Sequence, residues 1–247
     1  MYELFDAHPA TLVVVMAALM VTPLHLLATF VFSGASARKG AIVAAVTLGW
    51  GAFMVWFCLA RVVERSGPLG NLYVPLLWAA PSLLVWLARD WRLAVPLSQR
   101  WLIGLQLWRV IGALFLVEMA RGQLPAVFAL PAGIGDIAVA LLAAVVLWRG
   151  RGRGKSVLPA GAVIAVLALG IADFMSAFFF GFFSSAGPQQ LFFPEVPNRA
   201  LLFPTGLIPL FLVPYAIAFH TLSWLTLRRQ RQHMSRGGPQ WAADGAA

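Results

Sequence analysis

The sequence predicts an all-α polytopic membrane protein with seven transmembrane helices. Three observations predict it. Of 247 residues, 61% are hydrophobic and 11% charged, against roughly 45–50% and a quarter in soluble domains. The apolar residues fall into seven runs near the ~20 residues that cross a bilayer core as a helix. The connections are too short to hold a soluble domain. A chain this apolar cannot cover its surface in water, and it is far from the polar composition of disordered chains. The single cysteine, Cys58, excludes a disulfide scaffold and a Cys-rich zinc site.

The runs, in order, are residues 10–32, 41–63, 72–88, 101–120, 124–148, 157–183 and 201–227. The first follows an acidic flank, Glu3 and Asp6, and is too long for the core of a cleaved signal peptide. The third is short. The last two are long, which predicts tilt or kinks. Residues 184–200 form the only sizeable loop. Residues 228–247 are Arg-rich and then Gly/Ala/Pro-rich, and are expected to be a disordered basic tail. Residues 1–227 therefore form one membrane domain.

Lys and Arg mark the cytoplasmic side of short loops. Thirteen of the 18 cations lie on one side, at Arg38 and Lys39, at Arg89, Arg92 and Arg100, at Arg149, Arg151, Arg153 and Lys155, and at Arg228, Arg229, Arg231 and Arg236. The other side has Arg61, Arg65, Arg121 and Arg199. The expected topology is N-out and C-in, in the cell's inner (plasma) membrane. Trp86, Trp91, Trp101, Trp148 and Trp224 fall near the same ends as the cations, as an interfacial belt does. The net charge of +9 is thus a topology signal and an attraction to anionic lipids. The basic run RGRGRGK lacks interleaved aromatics for base stacking, so no nucleic-acid partner is expected.

GAIVAAVTLGWGAFM at residues 40–54 and GAVIAVLALGIADFM at residues 161–175 share 7 of 15 positions. The match suggests a parallel internal repeat. Repeat 1 covers about residues 1–99, a connector helix about 100–123, and repeat 2 about 124–227. Parallel repeats with a site between them are a transporter design. This three-plus-one-plus-three layout resembles that of SWEET-type sugar transporters, in topology alone.

Ionisable groups at membrane depth face a bundle interior or a cavity. Here they are His25, Arg109, Glu118, Asp136, Asp173 and His220. Counting ~1.5 Å per residue from helix ends places His25, Arg109 and His220 at one level of the inner leaflet. Asp136 and Asp173 fall near the middle, and Glu118 near the outer interface. Thr22, Thr29, Gln106, Ser176 and Ser223 widen these positions into polar faces at helical spacing. The plainest expectation is a buried ion pair of Arg109 with Asp136 or Asp173. The repeat does not duplicate the polar set, since Asp173 aligns with Ala52, and that asymmetry points to a site. Two prolines and two glycines precede Asp136 in LPAVFALPAGIGD, so a broken helix lining a cavity is expected there.

Gly133-Ile134-Gly135-Asp136 matches the GxGD of intramembrane aspartyl proteases. Those proteins carry their other aspartate earlier in the chain and a PAL motif later. Here Asp173 follows and the PAL motif is absent, so the match carries little. Equal depth would let His25 and His220 hold a haem, but one such pair is a thin basis and no cofactor is expected. No HxxxH or ExxH pair suggests a metal.

Two functional classes remain. In a transporter, Arg109, Asp136, Asp173, His25, His220 and Gln106 would form a midplane site for a proton or a small substrate, with Arg109 taking an anionic group. In an intramembrane enzyme, a buried acid would act on a lipidic or isoprenoid substrate, with the phenylalanines of residues 174–183 lining its pocket. Contact with lipid or a neighbouring helix is the plainer reading of those rings. A scaffold without a site of its own is the third possibility. Membrane lipids are the one sure class of partner expected.

The stretches RWLIGLQLWRVIGALFLVEMARGQLPAVFALPAGIGD and VPYAIAFHTLSWLTL resemble a group of uncharacterised bacterial inner-membrane proteins. That resemblance implies no activity. It singles out Arg109, Pro125, Pro131, Asp136 and His220 for test.

Overall fold

The computed structural model describes residues 6–33, 36–87, 98–151 and 158–236. Among these described residues, seven helices are long and apolar enough to cross a membrane: α1 (Pro9–Phe32), α2 (Ala37–Leu59), α3 (Leu69–Leu87), α4 (Gln99–Ala120), α5 (Ala126–Arg149), α6 (Ala160–Ser184) and α7 (Ile208–Arg231). The chain is a multi-pass membrane protein. The α1 N-terminus and the α2–α3, α4–α5 and α6–α7 connections define one face, here the N-face. The C-face carries the other helix ends. Arg89, Trp91, Arg92, Arg153, Lys155 and residues 237–247 of the tail lie outside the described residues.

Helix starts follow ordinary rules. Pro9 opens α1, and His8 caps it by accepting from the Ala10 N–H. Pro125 and Pro159 stand at the N-caps of α5 and α6, where a missing N–H costs nothing. Gly122, at φ 72°, makes the tight α4–α5 turn.

α1 pairs with α2, α5 with α6, and α3 with α7. α7 is the central helix: Ile208, Leu210, Phe211, Leu212, Ala216 and Phe219 are all but inaccessible. By contrast Val13, Val46, Leu76, Leu141 and Met175 are exposed. In water such a surface would aggregate, whereas in a bilayer it is the lipid contact.

Three expectations are corrected. The break is not before Asp136: α5 runs unbroken through Pro131, which lies in its second turn and forfeits one bond near the free end. It is α4 that changes form. An α-helix over Gln99–Gly104 gives way to a 3-10 segment over Leu107–Gly112 and resumes over Ala113–Ala120. Second, residues 201–207 are mostly turns, and α7 opens with a π-helical turn, Ile208–Leu212. Pro209 and Pro214 remove two N–H donors there, and Trp78 Nε1 of α3 donates to the Pro209 carbonyl at 2.7 Å. Third, the basic tail is not disordered from its start, because the last helix continues to Arg236.

Candidate functional site

Arg109 sits in the 3-10 segment of α4 and is completely buried. Its Nε donates to Asp136 Oδ1 of α5 at 2.7 Å, and its Nη2 donates to Asp173 Oδ2 of α6. One guanidinium thus holds both carboxylates. Its Cζ lies 4.0 Å from the centre of the Phe174 ring, a cation–π contact in a dry setting. Each member lies ten or eleven residues from its helix end at the N-face, or about 15–16 Å, the middle of a ~30 Å core.

Glycines make this approach possible. A Cβ on Gly112 would strike Asp136, one on Gly135 would strike Asp173, and one on Gly170 would strike His220 while lying 2.9 Å from Arg109 Nη1. Each lets two helices come close enough for a short side chain to reach its partner. Gly112 and Gly170 carry no charge and stand in apolar runs, so nothing in the pattern marks them. Gly135 belongs to the GxGD match, but as a contact surface rather than a catalytic motif. The two aspartates are ion-pair partners of one arginine.

Two carboxylates on one guanidinium leave one negative charge for a proton or a cation to balance. Unpaired charge at this depth costs several kcal/mol, so the balance is part of the site. Asp136 is the accessible member, with 11% of its side chain exposed against 4% for Asp173 and none for Arg109. Both aspartates line a narrow cavity of about 60 Å³ that runs to the N-face. Trp78, Phe115, Phe128, Phe174, Phe178 and Phe182 line its length, and Asn71, Ser185 and Asn198 its mouth. Phe174, Phe178 and Phe182 repeat every four residues on one stripe of α6, so these rings face the cavity. Met175 and Phe179, on another face, are exposed.

The loop at residues 184–200 folds back over the mouth. Asn198 Nδ2 donates to Ser184 Oγ at 2.8 Å and to the Gly181 carbonyl at 3.2 Å, while Leu191 and Phe192 N–H groups donate to the Phe183 carbonyl. Sequence reading missed Asn198 and Trp78. The partner of Trp78 lies 131 positions along the chain, and an Asn in a loop carries no distinctive signal.

The remaining candidates divide. His220 of α7 joins the cluster: its ring meets Phe174 edge-on at 5.5 Å, and its Nδ1 pairs with the Ala216 carbonyl at 2.8 Å. Gln106, fully buried three residues before Arg109, has no partner for either amide atom among the described residues. His25 lies apart, half-buried and edge-on to Trp101 at 5.6 Å. The two histidines therefore pack on different neighbours. Thr22 and Thr29 donate to carbonyls of their own helix, Ala18 and His25. Arg109 does not line the cavity, so the anion-binding role expected of it has no exposed surface to act through.

Glu118, two residues from the N-face end of α4, is fully buried. It accepts from Thr11 Oγ1, from the His8 N–H at 3.0 Å and from Arg121 Nη1 at 3.1 Å. This cluster ties the start of α1 to the end of α4. Among the described residues, no three His, Cys, Asp or Glu side chains come together as a metal ion would require.

The family model described as a domain of unknown function, DUF8737, matches residues 68–228. The chain belongs to this family. The matched region includes Arg109, Asp136, Asp173 and His220, and leaves α1 and α2 outside it. No curated protein and no solved structure matches the chain.

Proposed function

We propose that the protein is a transporter-like membrane protein that admits an apolar organic cation from the N-face and holds its charged head over the Asp136–Asp173 pair. One observation carries this reading: the aromatic cavity ends on a carboxylate, with the arginine shut away behind it. Aromatic walls favour a cation through their ring faces, and the excess negative charge of the floor selects its sign. A proton on one carboxylate balances the same charge when the ligand leaves, which is the basis of proton coupling.

In this reading the N-face is external and the C-face cytoplasmic in a bacterial plasma membrane. The Lys/Arg excess on C-face segments supports that orientation, as do the exposed Trp86, Trp148 and Trp224 near those helix ends. The match of 7 of 15 positions between residues 40–54 and 161–175 is what supports the internal repeat.

Dodecylammonium and dodecanoate, matched in chain and opposite in charge, test the proposal on the purified protein in nanodiscs. Native mass spectrometry is expected to show the amine at least tenfold tighter, and Asp136→Asn to remove that preference. Equal binding of the two, or a preference unchanged in Asp136→Asn, rejects it. An acid-catalysed enzyme of a lipidic substrate would use the same pocket, and a chemically altered bound lipid in the spectrum would favour that reading.

A further inference from the structure

Eleven buried side-chain polar atoms among the described residues lack a hydrogen-bond partner. Their distribution is uneven. Six belong to five residues on α4 and α7: Gln99 Oε1, both amide atoms of Gln106, Arg109 Nη1, His220 Nε2 and Ser223 Oγ. Each of these residues is at least 95% buried. The helices run antiparallel, so 109, 106 and 99 on α4 descend towards the C-face, as do 220 and 223 on α7. At its lower end Gln99 Nε2 donates to the Ser223 carbonyl at 3.4 Å. Apolar side chains flank it, Leu102, Leu105 and Phe219 in one cluster and Ile103 and Leu227 in another.

A polar spine with apolar walls is an unstable way to build a dry interface. Buried donors and acceptors are nearly always satisfied, by water where the protein does not serve. Leu at 106 or Ala at 223 would pack there without that cost. The His220 geometry adds direction. Nδ1 faces a carbonyl, which can only accept, so Nδ1 carries the hydrogen and Nε2 presents a lone pair. That lone pair lies beside Gly170 and close to Arg109 Nη1. Asp173 Oδ1, another atom without a partner, lies against Gly135 at the upper end.

We propose that this column is a hydrated proton path from the C-face to the Asp173–Asp136 pair. It deepens the proton-coupled reading above by supplying the route from the side opposite the cavity. A proton entering at Gln99 and Ser223 passes along waters held by Gln106 to His220 Nε2. The protonated ring releases a proton to the next water, and a proton arrives on Asp173 Oδ1. Each carrier gains one proton and gives up one, and no other bond changes. With Asp136 open to the N-face cavity, the two halves together cross the membrane.

Cys58 is the only cysteine and is buried, so Cys58→Ala gives a clean background for thiol labelling. Ser223→Cys in nanodiscs is expected to react with 2-aminoethyl methanethiosulfonate at least tenfold faster than Ala143→Cys. Ala143 is equally buried but lies in a wholly apolar cluster of α5. In proteoliposomes loaded with pyranine, valinomycin-driven proton uptake is expected for the full chain, and Gln106→Leu is expected to reduce it at least tenfold. Gln106→Leu removes two unpartnered polar atoms, so a purely structural glutamine would leave uptake unchanged and thermal stability equal or higher. Ser223→Cys labelling as slow as Ala143→Cys overturns the path, as does uptake no faster than in protein-free vesicles. So does uptake in Gln106→Leu equal to wild type. Each of these leaves dodecylammonium binding at Asp136 intact, whereas loss of that binding with labelling preserved rejects the cavity reading alone.

Discussion

Helix α4 carries two buried ionic clusters nine residues apart, and they are built differently. At the N-face end, Glu118 is fully satisfied: both its oxygens accept, from a hydroxyl, a backbone N–H and Arg121. Arg121 in turn reaches Asp6, donating to its carbonyl at 2.8 Å. Arg121 Nη2 also lies 3.5 Å from the Asp6 carboxylate, but that second acid is solvent-exposed, so the charge left over meets water rather than hydrocarbon. At the centre, Arg109 holds two carboxylates and still has Nη1 unpartnered, Asp173 has a spare oxygen, and Asp136 opens to a cavity. A cluster that closes on itself fastens helices. One that leaves charge and hydrogen-bonding capacity over, at a high cost in hydrocarbon, is built to meet something else.

The largest expected break in this comparison is Arg109→Leu. It strands two carboxylates in the core, and removing one partner of a buried pair costs about 3–5 kcal/mol. The protein is expected not to accumulate in the membrane. The triple variant Arg109→Leu, Asp136→Leu, Asp173→Leu removes all the charge together and is expected to restore accumulation without ligand binding. Gly170→Ala comes next. Its methyl meets His220 and Arg109, and a shift of that size in a packed interior costs about 1–3 kcal/mol, readable as a lower Tm. Gly49, which aligns with Gly170 when residues 40–54 are matched to 161–175, has open space around it, and Gly49→Ala is expected to leave Tm unchanged or raise it.

Asp136→Asn sharpens the contrast. The amide oxygen still accepts from Arg109 Nε, and one carboxylate now faces one guanidinium. Tm is expected to hold while dodecylammonium affinity falls at least tenfold, about 1.4 kcal/mol. The smallest effect is expected at the framework cluster. Glu118→Gln keeps an acceptor for Thr11 and His8, so it is expected to cost about 0.5–1.5 kcal/mol and to leave amine binding unchanged.

The seven spans were legible because an apolar run near 20 residues has few other meanings. Arg109, Asp136 and Asp173 were legible as charges where charge is costly. Their meeting was not, because partner choice rests on Gly112, Gly135 and Gly170, whose close approaches depend on which helices face each other. The stripe Phe174, Phe178, Phe182 is visible as a spacing, but its direction is fixed only by α3 and α5 on the far side of the cavity. Counting residues placed Glu118 correctly near a helix end. It could not show Thr11 and His8, more than 100 positions away, closing over it. The break in α4 was equally hidden: proline and glycine density pointed to α5, while α4 changes form over a stretch with no proline.

The proposed function requires Asp136 to be the floor of a binding cavity. A density map of the protein in nanodiscs with dodecylammonium bound tests it directly. The expected density places the ammonium within hydrogen-bonding distance of Asp136 Oδ2 and the alkyl chain between Trp78 and Phe178. Density confined to the lipid-facing surface, with the cavity unchanged, would contradict it.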